Sequence, residues 1–337
     1  MQNNLIKKCG MINNMKTAEC VTPLHPDKIC DRISDAILDA CLEQDPDSRV
    51  AVETMGGHGI ITITGEVTTR AYFNAREIAQ KIAGDQYGVQ VNIVSQSPEI
   101  ANGVDTGGAG DQGIMVGYAC NENEEMIPQE LYLARSLCKF IYDKYPYDGK
   151  TQITIDNDNQ VKTIVASFQN VKKSDLIERI GTWFAYECPT QEVPVIHANP
   201  AGDWNQGGFE ADTGVTGRKL AVDNYGPQIP IGGGAFSGKD PSKVDRSGAY
   251  MARWLAVKVL EKNPERHEIL VKVAYAIGVA EPVMITVYAD GVEIDPELEM
   301  GKEVFKPNEI IKILDLKKPQ YEKLASWGHF GYDTIWK

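Results

Sequence analysis

The sequence predicts an α+β fold of three structurally similar domains, each made of a sheet plus helices and related to the others by pseudo-threefold symmetry. An order of helix, β-hairpin and helix recurs three times along the chain, and a length of 337 residues suits two or three domains. Hydrophobic content of 42% and charged content of 24% are ordinary for a globular protein with a large core. Strands beside amphipathic helices in each copy favour layers of sheet and helix, with the three sheets sharing one core.

The first copy begins at Pro26, where apolar residues start to recur at helical spacing on one face. A proline suits the first helical position, and His25 precedes it as a possible cap. Alternating residues then predict a hairpin that turns at Gly56-Gly57-His58-Gly59. The remaining predicted elements of this copy are hairpin strands over 49–55 and 60–67, a helix near 74–83 and a strand over 89–94.

The second and third copies repeat this order. The second contains a strand over 114–120, a helix over 128–144, a hairpin over 152–168, a helix over 174–186 and a strand over 193–197. The third contains a helix over 241–260, a hairpin over 269–288 and a helix near 308–316. The predicted division is a disordered tail over 1–16, an N-terminal domain over 17–97, a glycine-rich mobile loop over 98–110, a central domain over 111–209 and a C-terminal domain over 210–337.

Charge and composition exclude several classes of function. The net charge of −13 argues against a general nucleic-acid binder, so a basic cluster is expected to be a local site for a small anion. No apolar run approaches the roughly 20 residues of a membrane span, and the N-terminus lacks the apolar region of a signal peptide. Seven cysteines without a Cys-x-x-Cys pair fit a reducing compartment better than a disulfide framework or a zinc site. We therefore expect a cytoplasmic protein with no membrane partner.

The glycine-rich stretch over 231–253 gives the strongest chemical signal. Asp240 followed by Pro241 predicts a helix start with a side-chain cap and a proline at the first position. The glycines ahead of it, among them Gly234 and Gly238, leave the backbone free to fold around a ligand. A helix start of this kind favours an anion.

Three cations, Lys239, Lys243 and Arg246, crowd that predicted helix start. A cation there costs about 0.3–1 kcal/mol unless an anion is bound, so the cluster predicts a phosphate site. Asp245 could hold a magnesium ion that bridges to the phosphate. The alternative is a solvated charged helix face. A P-loop is excluded because Asp240 stands where a magnesium-binding Ser or Thr is required.

A second glycine motif lies at Gly108, Gly110 and Gly113, which match the dinucleotide fingerprint G-x-G-x-x-G. That fingerprint requires the order strand, turn, helix, whereas here loop residues precede the glycines and a strand follows them. The motif therefore favours a Rossmann fold only weakly.

The two glycine motifs resemble the signatures of the S-adenosylmethionine synthetase (methionine adenosyltransferase) family. The first is Gly-Ala-Gly-Asp-Gln-Gly over 108–113, and the second, which is the more specific, is Gly-Gly-Gly-Ala-Phe-Ser-Gly-Lys-Asp-Pro-Ser-Lys-Val-Asp-Arg-Ser over 232–247. Further family-like stretches occur at 25–28, 42–46, 216–219 and 328–331. The resemblance spans roughly residues 17–332 and indicates a compact, divergent member.

The resemblance implies that the methionine sulfur attacks C5′ of ATP and expels tripolyphosphate, which is hydrolysed to pyrophosphate and phosphate. A thioether needs no base to become a nucleophile, so catalysis would rest on alignment and on stabilising the charge of the leaving group. The implied cofactors are two Mg²⁺ per site and K⁺. The implied catalytic residues are His25, which would stabilise the leaving oxygen, Lys150, Arg218 and Lys239.

The other implied site residues follow position by position. The implied ATP and phosphate contacts are His25, Asp148, Lys150, Trp204, Asp212, Arg218, Lys219, Ala235, Lys239, Lys243 and Asp245. The implied methionine contacts are Glu53, Gln96, Asp111, Asp212, Lys243 and Ile277. The implied metal ligands are Asp27 and Asp245 for Mg²⁺ and Glu43 for K⁺. Taken alone, His25 and Asp27 could be helix-start residues, Glu43 a helix-end carboxylate and Glu53 an ordinary strand residue.

Three departures from the family pattern stand out. The loop before Gly108 is shortened, which affects gating of the site. Asp203 and Trp204 replace the family's Arg-Phe pair near the adenine, although Trp204 can still stack on a base. Thr22-Pro23-Leu24 replaces the usual Ser-Glu-Gly ahead of His25.

The resemblance further implies ATP and L-methionine as partners and a homodimer at least, commonly a homotetramer, with active sites between two subunits. No nucleic-acid partner is expected. Two other functions use the same cations: a phosphotransferase that moves a γ-phosphoryl group and leaves ADP, and a regulatory subunit that binds nucleotide without chemistry. Analysis of the products formed from ATP and methionine distinguishes the three.

Overall fold

The computed structural model describes residues 15–95, 107–296, 301–332 and 334–336, and contains three four-stranded sheets. The predicted fold class is confirmed, because each sheet is covered by helices and the helix, hairpin, helix order recurs. Most of the predicted tail and of the predicted mobile loop lies outside the described residues.

The N-terminal sheet has the strand order β4-β3-β2-β9. Its strands are β2 (Arg49–Gly57), β3 (Ile60–Thr68), β4 (Gly88–Val94) and β9 (Gly214–Val215), and its helices are α1 (Pro26–Leu42) and α2 (Ala75–Ala83). Helix α1 begins as predicted, because His25 caps it and Pro26 occupies its first turn. α1 packs on β2, β9, α2 and α8 (Tyr321–Ala325).

The central sheet has the order β1-β6-β7-β8. Its strands are β1 (Lys16–Val21), β6 (Gly149–Ile155), β7 (Val161–Phe168) and β8 (Val195–Ala198), and its helices are α3 (Gln129–Lys144) and α4 (Lys173–Glu187). Strand β1 was not predicted, and its first residue, Lys16, was assigned to the tail. The isolated sequence of β1 gives little signal, because its partner β6 lies in the next domain along the chain.

The C-terminal sheet has the order β12-β11-β10-β5. Its strands are β5 (Gly113–Cys120), β10 (Glu268–Tyr275), β11 (Met284–Ala289) and β12 (Val292–Ile294), and the helices of this region are α5 (Leu220–Asp223), α6 (Val244–Lys262) and α7 (Pro307–Ile313). Strand β5, predicted for the central domain, pairs with β10 instead. The predicted domain boundaries stay a prediction, but strands β1 and β5 cross them.

Buried apolar side chains of the described residues form two clusters rather than the single core that we expected. One cluster joins the N-terminal and C-terminal sheets through α1 and α6. The other fills the space between the central sheet and helices α3 and α4, with Trp183 and Phe168 among its large members. The central sheet is therefore packed mainly by its own helices.

The start of α6 was predicted wrongly. The helix begins at Val244, with Lys243 at the cap position, and not at Pro241. Asp240 instead pairs with β2: its N–H donates to the Val50 carbonyl at 2.9 Å, and its carboxylate accepts the Val50 N–H at 2.8 Å. Because the N–H and the carboxylate of Asp240 are bonded to β2, Asp240 does not cap the helix. Asp240 and Pro241 form the turn before it.

Candidate active site

His25 lies at the N-terminus of α1 with its imidazole in a partly buried position. Its Nδ1 accepts the backbone N–H of Asp27 at 3.2 Å. Burial, followed by the positive charge of Lys219, lowers the pKa of His25 to about 4. The ring is therefore neutral at physiological pH, and because Nδ1 is an acceptor, the proton lies on Nε2. His25 can donate a hydrogen bond through Nε2.

Asp27, in the first turn of α1, is almost fully buried and faces two cations of the Thr-Gly-Arg-Lys segment. The Lys219 Nζ lies 2.6 Å from its Oδ2, and the Arg218 Nε lies 3.6 Å from its Oδ1. The Val215 N–H donates to the same Oδ1 at 2.9 Å. Burial disfavours the carboxylate, but the hydrogen bonds from Lys219 and Val215 outweigh it and hold the pKa of Asp27 below its usual value.

Three further predicted residues surround this helix start. Lys150 pairs with Val21 of β1, four residues before His25. The Asp212 N–H donates to the carbonyl of Gly208 at 3.1 Å. Asp148 is buried, and its Oδ2 accepts the N–H of Gly208 at 2.8 Å. Lys150 also forms an ion pair with Glu19 of β1. We call these residues together the helix-start group: His25, Asp27, Asp148, Lys150, Asp212, Arg218 and Lys219.

Trp204 and Asp203 lie on the segment that leads to Gly208. Trp204 is half-buried, and its carbonyl accepts the Asn170 N–H at 2.9 Å. The Asp203 carboxylate accepts the N–H of Lys173 at 2.9 Å, at the start of α4. Asp203 therefore satisfies a helix terminus, which explains how an anion stands at this position.

The cations of the second signature divide into two kinds. Lys239 pairs with Asp245, and Lys243 pairs with the buried Asp240. Arg246, predicted to join them, is fully buried and donates both of its close contacts, at 2.7 Å, to the Asp35 carboxylate. Arg246 is therefore wrong as a phosphate-site cation, because Asp35 of α1 holds it in the interior.

The glycine loop lies against Asp245. A Cβ placed on Gly234 would lie 2.3 Å from the Asp245 carboxyl carbon, so only glycine lets the backbone pass so close. Gly113, at the end of the first signature, also lies close to this carboxylate, since a Cβ there would be 3.5 Å from the Asp245 Oδ1. The two signatures therefore meet at Asp245.

The first signature is anchored to the C-terminal sheet. The Ala109 N–H donates to the Val279 carbonyl at 3.0 Å, and the Ala109 carbonyl accepts the Gly278 N–H at 2.8 Å. This pairing fixes the last part of the predicted mobile loop, where Ala109 forms a bridge with Ile277. Asp111 and Ile277 are both exposed. Gln96 lies outside the described residues.

A cavity of about 300 Å³ opens on the outer face of the N-terminal sheet. Its lining includes Glu53, Glu66, Thr64, Ser237 and Lys239. Glu66 was missed in the sequence, although the hairpin gives a signal: Ala51 pairs with Glu66 and Glu53 with Thr64, so both glutamates face the same side. Of the predicted site residues, Glu53 and Lys239 line this cavity. We use the name sheet-face group for these two together with the remaining predicted residues of the two signatures and their neighbour: Ala235, Lys243, Asp245, Asp111 and Ile277.

The two groups adjoin through the backbone. A Cβ placed on Gly217, next to Arg218, would lie 2.5 Å from the Cβ of Ala235. Glu43, in contrast, is exposed at the other end of α1, roughly 24 Å from Asp27 at 1.5 Å per residue. The structure does not bring Glu43 to either group.

The predicted magnesium ligands stand singly. The described residues contain no group of three or more His, Cys, Asp and Glu side chains that could hold a metal. Mg²⁺ usually binds through one or two carboxylates together with substrate phosphates. Asp27 and Asp245 each offer one carboxylate beside a lysine that was predicted to bind phosphate. These residues therefore fit Mg²⁺ that arrives with a polyphosphate.

No helix in the described ranges is long and apolar enough to cross a membrane.

A neutral histidine donor and lysines paired with single carboxylates suit departure of a polyphosphate, and they need no general base. The fold and the site thus suit a transferase that acts on a polyphosphate substrate. Three models of the S-adenosylmethionine synthetase domains match the chain: N-terminal over 13–98, central over 106–204 and C-terminal over 206–337. The chain belongs to the S-adenosylmethionine synthetase family.

Curated relatives agree along almost the whole chain. It is 43% identical to the S-adenosylmethionine synthase of Salinibacter ruber, across 95% of this chain and 94% of the relative. It is 41% identical to that of Bifidobacterium adolescentis, across 94% and 93%, and 40% identical to that of Petrotoga mobilis, across 95% and 94%. The alignment to the first spans 362 residues, more than the 337 of this chain, so this chain carries gaps there.

The enzyme is therefore a methionine adenosyltransferase, which makes S-adenosylmethionine from ATP and L-methionine. The methionine sulfur attacks C5′ of ATP and tripolyphosphate leaves. The predicted family, fold and reaction are confirmed. Metal dependence is general in this family.

Proposed function

We propose that the helix-start group and the sheet-face group together bind ATP and methionine, and that they carry the roles implied by the sequence. The observation that supports this most is the pairing of Lys219 with Asp27 and of Lys239 with Asp245. Each pair joins a proposed phosphate-binding cation to a proposed magnesium ligand. When a magnesium polyphosphate binds, the phosphates can replace the carboxylates as partners of the lysines. Mg²⁺ can replace the lysines as the partner of the carboxylates, so that no charge is left unpaired.

At the reacting centre, His25 would donate its Nε2 hydrogen to the oxygen that leaves C5′. The C5′–O bond breaks as the C–S bond forms, and negative charge develops on that oxygen. The departing tripolyphosphate would be held by four cations: Arg218, Lys219, Lys239 and Lys243. Lys150 would be a further catalytic residue beside His25. Two Mg²⁺ per site, one held by Asp27 and one by Asp245, would neutralise charge on the phosphate oxygens.

The substrates' other ends would meet the remaining residues. Asp148, Trp204, Asp212 and Ala235 are proposed to contact ATP, with Trp204 stacking on the base. Glu53, Gln96, Asp111, Asp212, Lys243 and Ile277 are proposed methionine contacts, and Glu66 joins them because it lines the Glu53 cavity. K⁺ is a proposed cofactor, while the role of Glu43 as its ligand stays a prediction.

We further propose a homodimer, and a homotetramer built from it, with sites that combine groups of two subunits. The outer face of the N-terminal sheet supports this, because Met55, Ile60 and Val94 are exposed on it beside the Glu53 cavity. A second copy on this face would bury these side chains and close the cavity. The six cysteines of the described ranges are free and buried, which supports the predicted cytoplasmic location.

Subunit complementation tests the shared site. Lys219→Met and Lys239→Met should each be inactive alone, because each removes one cation from a different group. If a site takes one group from each subunit, a heterodimer of the two variants keeps one intact site and the mixture regains about a quarter of wild-type activity. Formation of S-adenosylmethionine measures this. An inactive mixture that exchanges subunits would refute the shared site, and an active Lys219→Met alone would refute the phosphate role.

A further inference from the structure

Helix α1 carries an aspartate at every fourth position from Asp27 to Asp39. Residues four apart lie on one face of a helix, so the carboxylates form a stripe along α1. Each accepts backbone N–H groups from a distant segment. The contacts are Asp27 with Val215 at 2.9 Å, Asp31 with Gly217 at 2.8 Å, Asp35 with Gly238 at 2.8 Å and Asp39 with Gln320 at 2.9 Å.

The two middle contacts are alike in a way that points to the active site. Gly217 and Gly238 both have a left-handed backbone, with φ of +78° and +81°. Each is followed directly by proposed phosphate-binding cations, Arg218 and Lys219 after Gly217 and Lys239 after Gly238. The same device, a carboxylate on a glycine amide, therefore precedes both cationic segments.

The same two segments also pair with β2. Met55 pairs with Val215 and Ala51 pairs with Lys239, four residues apart on the strand, or roughly 13 Å. On α1, the carboxylates that bind the same places are Asp27, at Val215, and Asp35, at Gly238. They are eight residues apart, or roughly 12 Å. Because the spacing on the helix matches the spacing on the strand, α1 and β2 can hold both segments at once.

We propose that Asp31 and Asp35 are positioning residues for the reaction: through the amides of Gly217 and Gly238 they fix where the polyphosphate-binding cations stand. This inference rests on the proposed roles of Arg218, Lys219 and Lys239. Neither aspartate touches the reacting atoms. Their effect is to keep the cations in place before the leaving group develops its charge.

Asp31 holds its segment from both ends. While its Oδ1 accepts the Gly217 N–H, its Oδ2 lies 3.0 Å from the Nζ of the fully buried Lys28. The same Nζ lies 2.5 Å from Asp223, which follows the cations in the chain. Arg218 and Lys219 therefore lie between two points that are both tied to Asp31, and the segment has little freedom to shift.

Asp31 also gives the cleaner test. Replacing Asp35 would leave the buried Arg246 without its carboxylate partner. When Asp31 is replaced, in contrast, the buried Lys28 still forms its ion pair with Asp223. Asp31→Ala removes the amide acceptor, and Asp31→Asn removes the charge but keeps an acceptor oxygen. We expect Asp31→Ala to lose about 10–100-fold in kcat/KM for ATP, as for a misplaced catalytic group, and Asp31→Asn to stay within about threefold of wild type.

Asp39 provides the matched control. It makes the same kind of contact from the same helix, but to residues 320–322, which belong to neither group of the site. Asp39→Ala should lower the thermal midpoint and leave kcat/KM within about threefold of wild type. If Asp31→Ala folds poorly, Asp31→Glu keeps the charge and displaces the acceptor, and should lose about tenfold.

The outcomes are distinguishable. Equal losses in Asp31→Ala and Asp31→Asn would overturn the inference, because the charge and not the amide contact would then matter. Full activity of Asp31→Ala beside an inactive Lys219→Met would also overturn it, while leaving the phosphate site in place. Full activity of Lys219→Met would instead refute the proposed function on which the inference rests.

Discussion

Acidification should unfold this enzyme partly through His25. An unfolded histidine has a pKa near 6.5, whereas burial and Lys219 lower the pKa of folded His25 to about 4. Between these values the unfolded state binds more protons, so stability rises with pH and is lost as the pH falls. From about pH 7 to about pH 5, the difference in proton binding costs roughly 2 kcal/mol in the free energy of unfolding.

The matched variant is His25→Asn. Asparagine keeps an acceptor for the Asp27 N–H and thus the cap of α1, but it does not titrate. Urea unfolding at both pH values should show that wild type loses roughly 2 kcal/mol more than the variant. Equal losses in the two proteins would refute the reasoning. A direct NMR titration of the His25 ring that gives a pKa near 6.5 would do so as well.

Two other substitutions test the site assignments. Lys243→Met should abolish S-adenosylmethionine formation. It should also lower the free energy of unfolding by about 1–3 kcal/mol, because the buried Asp240 loses its cation. A folded, fully active variant would show that Lys243 is not part of the site. Asp203→Ala should lower stability by about 1 kcal/mol, since the Lys173 N–H loses its acceptor, with no change in KM for ATP. A raised KM would instead assign Asp203 to the nucleotide pocket.

Sequence alone could predict features whose causes are local. The start of α1 is one, because His25 and Pro26 set both the cap and the first turn. The start of α2 is another, where Asn74 caps the helix by accepting the Glu77 N–H. In each case the atoms that make the contact lie within a few residues of one another, so the pattern of residues is sufficient.

Features with distant partners could not be read in this way. Arg246 has the appearance of a phosphate-binding cation in the sequence, but its partner Asp35 lies 211 residues away. Asp240 has the sequence pattern of a helix cap, but its carboxylate instead accepts the N–H of Val50 of β2, 190 residues earlier. The charge pattern grouped Arg246 with Lys239 and Lys243, but only the structure shows that Arg246 is held in the interior by Asp35.

The exchange of strands between sheets has a consequence for synthesis of the chain. Thr17 of β1 and Thr154 of β6 are 137 residues apart and bond to each other through their side chains. At a ribosomal rate of 5–20 residues per second, β1 waits roughly 7–27 s for its partner. During that time its backbone donors and acceptors are exposed, so a nascent chain stalled before residue 149 should be a preferred substrate for chaperones, and no domain expressed alone would contain a complete central sheet.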